Sequence, residues 1–152
     1  MKERPADLPR APSNLLYILR KRLSSALQNL FCDKEAFACD IDDKCQDVAY
    51  ENAALNGIGA DTYTVQVGDI LTNEALQAAI GGGYDIVLAN IVADVIIALA
   101  PAVRPLLAEH GVFLCSGIID DRAEEVAEKL RAAGLEILET HSAEGWFSYL
   151  CR

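Results

Sequence analysis

From residue 36 onward the chain alternates short apolar runs with segments of helical spacing, and this alternation constrains the fold more than any other feature. The stretch "EAFACD" (35–40) reads as a strand. "DDKCQDVAYENAALNG" (42–57) then places Cys45, Val48, Ala49, Asn52 and Leu55 at helical intervals and stops at Asn56-Gly57, a common helix exit. "TYTVQVGD" (62–69) alternates as a strand, and a short helix over 73–80 ends at "GGG". "YDIVLANI" (84–91) is continuously apolar, as a strand covered on both faces should be. "VADVIIALAPAVRPLLAEHG" (92–111) is predicted helical, with Pro101 and Pro105 breaking or re-aiming it, and "GVFLCSGI" (111–118) is a second buried strand. Asp120 or Asp121 is the expected cap of a helix through "RAEEVAEKLRAAG" (122–134), and "LEILETHS" and "GWFSYLCR" are two final strands close enough to pair antiparallel.

Strand–helix alternation at this spacing implies an α/β fold, a Rossmann-like doubly wound sheet that is mostly parallel, with helices on both faces. The last two strands make the sheet mixed. At 152 residues there is room for one domain with a substantial core. The five cysteines (Cys32, Cys39, Cys45, Cys115, Cys151) form no CxxC pair and sit mostly inside apolar patterns, so buried reduced thiols are expected. His110 and His141 stand near no cysteine pair or acid cluster, so no metal site is expected.

Charge is unevenly spread. The formal net charge is −10, yet residues 1–30 carry six basic residues (Lys2, Arg4, Arg10, Arg20, Lys21, Arg22) against Glu3 and Asp7, which leaves −14 for the rest. An acidic body argues against direct nucleic-acid binding and suits a basic protein partner. The start of the chain lacks the pattern of a signal peptide, and no apolar run approaches membrane-spanning length, so a cytoplasmic location without membrane contact is expected.

In open α/β sheets, ligands lie outside the carboxyl ends of the strands. Asp40, Gly68-Asp69, Ala89-Asn90 and Ser116-Gly117 close four successive strands and would project there. A carboxylate such as Asp40 offers acceptor oxygens for both ribose hydroxyls of a nucleoside without a competing donor. Ile41 would lie against the adenine face, and Asp69 could accept from an exocyclic amine or simply shape a turn. Asn90 can orient an amine without a charge penalty, and an amide at the end of so apolar a strand needs partners, since burying one without them costs roughly 1–3 kcal/mol. Asp42 and Asp43 read as the start of a helix rather than as ligands.

"FACDIDDKCQDVAYENAALNG", "VGD", "YDIVLANIVADVIIALAP" and "GVFLCSGIIDDRAEEV" resemble the catalytic domain of the ribosomal-protein methyltransferases that modify large-subunit protein eleven, with "DID" and "ANIVAD" the most specific parts. The resemblance runs from about residue 34 to the C-terminus. It implies an S-adenosylmethionine-dependent enzyme that transfers a methyl group to amino groups of a ribosomal protein. It also implies that Asp40 holds the ribose, that Ile41 and Asp69 border the adenine, and that Asn90 stands beside the methionine moiety and the incoming amine as the catalytic residue.

The chain departs from that pattern at its start. Such a domain opens with a strand and a glycine-rich loop ~20 residues before the ribose acid. Counting back from Asp40 reaches "YILRKRLS" (17–24), and no glycine precedes Gly57. The bulky residues from Ile18 to Arg22 cannot admit a ligand to the backbone as glycines do. Leu15, Leu19, Leu23, Ala26, Leu27 and Leu30 instead make a helical stripe across 14–31. The expected division is therefore a basic, helical segment over 1–33 and an incomplete methyltransferase-like domain over 34–152, with the first strand of the sheet missing or replaced. The other reading keeps "NLLYIL" as that strand and "LSSALQNLF" as the helix after it. A truncated or remodelled family member would combine a normal body with such a start, and a sheet lacking a strand could recruit one from a partner, giving an oligomer. Three functions stay open: the ribosomal-protein methyltransferase, an inactive binding module of the same fold, and a methyltransferase acting on another protein or a small molecule.

Overall fold

The computed structural model describes residues 16–21 and 34–152, apart from 56, 58 and 62, with side chains from Ala36 onward. Seven strands of the described residues form one sheet in the order β3-β2-β1-β4-β5-β7-β6. In chain order these are β1 (Leu16–Lys21), β2 (Lys34–Asp40), β3 (Tyr63–Val67), β4 (Tyr84–Asn90), β5 (Leu107–Ile119), β6 (Ile137–Ala143) and β7 (Trp146–Cys151). Among the described residues four helices lie between them: α1 (Cys45–Leu55), α2 (Glu74–Ile80), α3 (Ala93–Leu106) and α4 (Asp120–Ala132). β2 runs parallel to β3, and β4 parallel to β5, while β7 runs against both β5 and β6. The sheet is mixed and doubly wound with an antiparallel pair at the C-terminus, as expected, but only two of its six strand pairings are parallel.

The centre of the sheet differs from expectation in two ways. Leu16–Lys21 is strand, not part of a helix over 14–31; the remainder of that stretch, with the alternative helix "LSSALQNLF", lies outside the described residues. The strand also runs antiparallel to both neighbours, pairing Leu16 with Cys39 and Ala89, and Lys21 with Lys34. A helix would leave facing edges of β2 and β4 with unpaired backbone groups, and buried N–H and C=O groups must find partners. Six residues paired to β2 and four to β4 meet that need, which outweighs the helical spacing of the leucines. The slot that could have recruited a partner's strand is thus filled by the chain itself.

Two apolar clusters hold the layers together. α1 packs on one face through Cys45, Ala49 and Ala53 against Ala38, Tyr63 and Val65. These helix residues follow the i, i+4 row, so Leu55, expected on the buried stripe, is 77 % exposed. The larger cluster joins α2, α3 and α4 to the other face, with Val87, Ile96, Val103, Phe113, Ile118, Val126 and Leu130 fully buried. Neighbouring Ala38 and Cys39 enter different clusters, as the two-residue period of a strand requires. Cys39, Cys45, Cys115 and Cys151 are buried free thiols.

Pro101 and Pro105 both lie within α3 on its exposed side, where carbonyls left without an N–H partner can meet water, while Ile96, Leu99, Ala100, Val103 and Leu106 carry the buried stripe. The helix does stop short of the expected 111: Leu107–His110 already belongs to β5, where Tyr84 pairs with Leu107 ahead of a register shift. The cap position of α4 is Ile119, which makes no side-chain cap bond; Asp120 and Asp121 lie in the first turn, where carboxylates suit the helix dipole.

Candidate functional site

The ends of β2, β3, β4 and β5 are tied into one edge by backbone bonds. The Gly68 N–H donates to the Asp40 carbonyl at 2.8 Å, and the Ile91 N–H donates to the Ser116 carbonyl at 3.2 Å. Asp40 is 4 % exposed, the one charged residue in the buried set among the described residues. Its Oδ1 accepts from the Asp42 N–H at 3.0 Å, and the Asp42 carboxylate in turn accepts from the Lys44 N–H at 3.0 Å. The Asp42 carbonyl accepts from the Cys45 N–H, so the acid run after β2 organises the start of α1.

A cavity of about 300 Å³ opens beside Asp40, walled by Ile41, Asp69, Ile70, Ile91, Val92 and Val95. Three of these walls, Ile41, Val92 and Val95, are exposed apolar side chains. They make an apolar bed beside a buried carboxylate, which is the chemistry of a site for a planar base with a hydroxylated sugar. Asp69 borders this cavity, and both of its oxygens serve its own turn: Oδ1 accepts from the Leu71 N–H at 2.9 Å and Oδ2 from the Thr72 hydroxyl at 3.1 Å. Of its two expected roles, the turn is visible here. Next door, burial together with the Asp40 charge pushes the Cys39 thiol up to about 12, so it stays protonated and inert at neutral pH.

A second cavity of about 570 Å³ lies on the other side of β4 and includes Asn90, Ser116, Gly117, His141, Trp146 and Phe147. The Ser116 hydroxyl donates to Asn90 Oδ1 at 3.0 Å. Asn90 is exposed rather than buried, because its strand ends at the open edge, so the desolvation cost expected there does not apply. Gly117 has φ +86°, and a Cβ there would stand 2.9 Å from the Ile91 carbonyl oxygen and 3.1 Å from Asn90 Oδ1, so the chain passes too close for a side chain to fit without a shift.

The edge therefore brings together Asp40, Ile41 and Asp69 at one cavity and places Asn90 at the other. The sequence reading missed His141 and Trp146. His141 has its Nε2 3.0 Å from Glu139 Oε2. No local signal marks either residue, because the hairpin of β6 and β7 delivers them: β7 pairs Trp146 with Ile119 at the end of β5, and His141 pairs with Ser148.

Half of an S-adenosylmethionine-like ligand fits these residues. The apolar bed and the Asp40 carboxylate suit an adenosine. The amino-acid half ordinarily meets backbone N–H groups of a loop at the carboxyl end of β1, and here that end lies at Lys21, beside Lys34, on the opposite edge of the sheet. Among the described residues, nothing takes the place of that loop.

The sheet order and the ligand edge define a Rossmann-like methyltransferase fold. Residues 23–152 match the family model described as ribosomal protein L11 methyltransferase (PrmA). A ribosomal protein L11 methyltransferase of Agathobacter rectalis is 40 % identical over 114 residues, covering 74 % of this chain and 35 % of that protein. The crystal structure of ribosomal protein L11 methylase from Lactobacillus delbrueckii subsp. bulgaricus superposes with a TM-score of 0.66 at 29 % identity, over 76 % of this chain and 56 % of that one. Aeropyrum pernix fibrillarin, solved with natively bound S-adenosyl-L-methionine, shares the fold with a TM-score of 0.57 at 11 % identity, over 76 % of this chain and 54 % of that one. The chain belongs to the ribosomal protein L11 methyltransferase family, and it spans 35 % of the length of the Agathobacter relative.

Proposed function

We propose that this chain is an S-adenosylmethionine-dependent methyltransferase domain acting on amino groups of a basic ribosomal protein in the cytoplasm. The observation that carries the reading is the pairing of two cavities across β4, one an apolar bed beside buried Asp40 and the other holding Asn90, at the ligand edge of a sheet that belongs to this family. Asp40 accepts hydrogen bonds from the ribose hydroxyls, Ile41 covers the base, and Asp69 holds the turn that bounds the base while keeping lone pairs for its exocyclic amine. When bound, the cofactor supplies an electrophilic methyl group on a sulfonium. Asn90, steadied by Ser116, accepts from the incoming amine and orients it. That amine arrives as an ammonium ion and must lose a proton first. His141, the ionisable side chain of the second cavity, takes it, with Glu139 holding the imidazole in place. The acidic body suits a basic substrate, and no described helix is long and apolar enough to cross a membrane.

The reversed β1 favours a second reading, in which the domain binds nucleosides without turning over. Incubation with methyl-labelled S-adenosylmethionine and purified large-subunit protein eleven separates the two. Label on lysine or N-terminal amines supports the enzyme. Saturable nucleoside binding with no label transferred, even at millimolar cofactor, supports the module.

A further inference from the structure

We infer that the cavity beside Asp40 selects adenosine carrying an uncharged or cationic 5′ group, and gains little from an amino-acid tail beyond that group. The inference rests on the nucleoside reading of this cavity and adds two properties to it, each from a separate observation.

The first property follows from strand direction. Recognition of a carboxylate or phosphate at a sheet edge relies on backbone N–H groups where a strand gives way to a helix. Between β2 and β4 that position should be the carboxyl end of a parallel central strand. In this chain the central strand is reversed, and Leu16 at its beginning stands level with Cys39 and Ala89 at the ligand edge. Its carboxyl end, at Lys21, lies on the far edge. The first glycine of the sequence is Gly57, so no glycine stands before the ribose acid to let backbone approach a ligand closely. Base and ribose keep their walls, and among the described residues no loop donors replace those the tail would meet.

The second property follows from charge. Asp40 and Asp69, at the ends of β2 and β3, are the two carboxylates that line this cavity, and among the described residues no cation lines it with them. A phosphate on the 5′ carbon would meet these carboxylates at close range, with the Asp40 charge buried and weakly screened. A thioether is tolerated and a sulfonium is attracted.

Calorimetric titration of the full chain with adenosine, 5′-methylthioadenosine, S-adenosylhomocysteine and AMP tests both properties. The first three are expected to bind within about tenfold of one another, and AMP at least about tenfold more weakly than adenosine. S-adenosylhomocysteine binding more than about tenfold tighter than 5′-methylthioadenosine, the two sharing a neutral sulfur, would overturn the tail-indifference and leave the methyltransferase reading standing. AMP binding as tightly as adenosine would overturn the charge selection. Failure of all four ligands to bind would remove the nucleoside site itself, and the proposed function with it.

Discussion

Replacing Gly117 by alanine probes the site edge where it is tightest. Two costs add there. At φ +86° an L-residue meets the left-handed penalty of about 1–2 kcal/mol. The new Cβ would also press on the Ile91 carbonyl at 2.9 Å, a backbone atom whose residue is fixed by the bond from the Ile91 N–H to Ser116, and on Asn90 Oδ1 at 3.1 Å. Overpacking against rigid neighbours costs about 1–3 kcal/mol, so the total loss should be about 2–5 kcal/mol. Gly134→Ala is the matched control. Gly134 has φ +83° and open space within 4 Å of where a Cβ would stand, so it should lose only the backbone part, about 1–2 kcal/mol. Urea unfolding of both variants, analysed with a common slope, reads the difference directly. Equal losses in the two would refute the close approach of β5 to Asn90 and Ile91, and with it the shape of the second cavity.

Other perturbations have definite expected outcomes. Asp40→Ala should weaken adenosine binding by about tenfold or more, since hydrogen bonds to a charged acceptor are worth about 1.5–3 kcal/mol; unchanged affinity by calorimetry would refute the ribose assignment. His141→Gln should slow methyl transfer to a lysine peptide about 100-fold at neutral pH, and the deficit should shrink at high pH as the amine deprotonates unaided; a pH-independent deficit would assign His141 a structural role. Tyr149→Phe removes a buried hydrogen bond of 2.8 Å to the Ala123 carbonyl and should cost about 1 kcal/mol in urea unfolding, with no loss contradicting the packing of α4 on β7. Burial pushes the Cys115 thiol up to about 12 and Cys151 to about 11. Unfolded thiols ionise near pH ~8.5, so these groups contribute stability that is full below that value and lost as pH rises toward the folded values. Stability of the wild type should therefore fall more steeply between about pH 9 and 11 than that of Cys115→Ala, by about 1 kcal/mol or more.

The sheet's right half was legible because β4, β5 and β7 are apolar runs bounded by turns, and α4 carries its charges and its buried stripe in plain order. Its centre was not. The leucines of residues 15–23 fit a helix, and a strand's direction is not encoded in its own residues at all; only the two unpaired edges of β2 and β4 require a strand there. The end of α3 was misplaced for a similar reason, since Leu107–His110 reads as helix until Tyr84 claims it as a strand partner. At the site, Asp40, Ile41 and Asp69 were legible as strand ends that gather at one edge. The burial argument for Asn90 does not hold, since it is exposed and not a buried amide, while its place at a strand end on this edge was legible. His141 and Trp146 were invisible because they reach the site only through the pairing of β7 with β5 and β6.

The most direct measurement is methyl NMR of the full chain during titration with adenosine. Saturable shifts of the Ile41, Ile70, Ile91 and Val92 methyl groups, with one common affinity and with Leu130 and Leu138 unmoved, are the predicted result. Shifts that avoid these four side chains, or that persist unchanged in Asp40→Ala, would contradict an adenosine site beside Asp40.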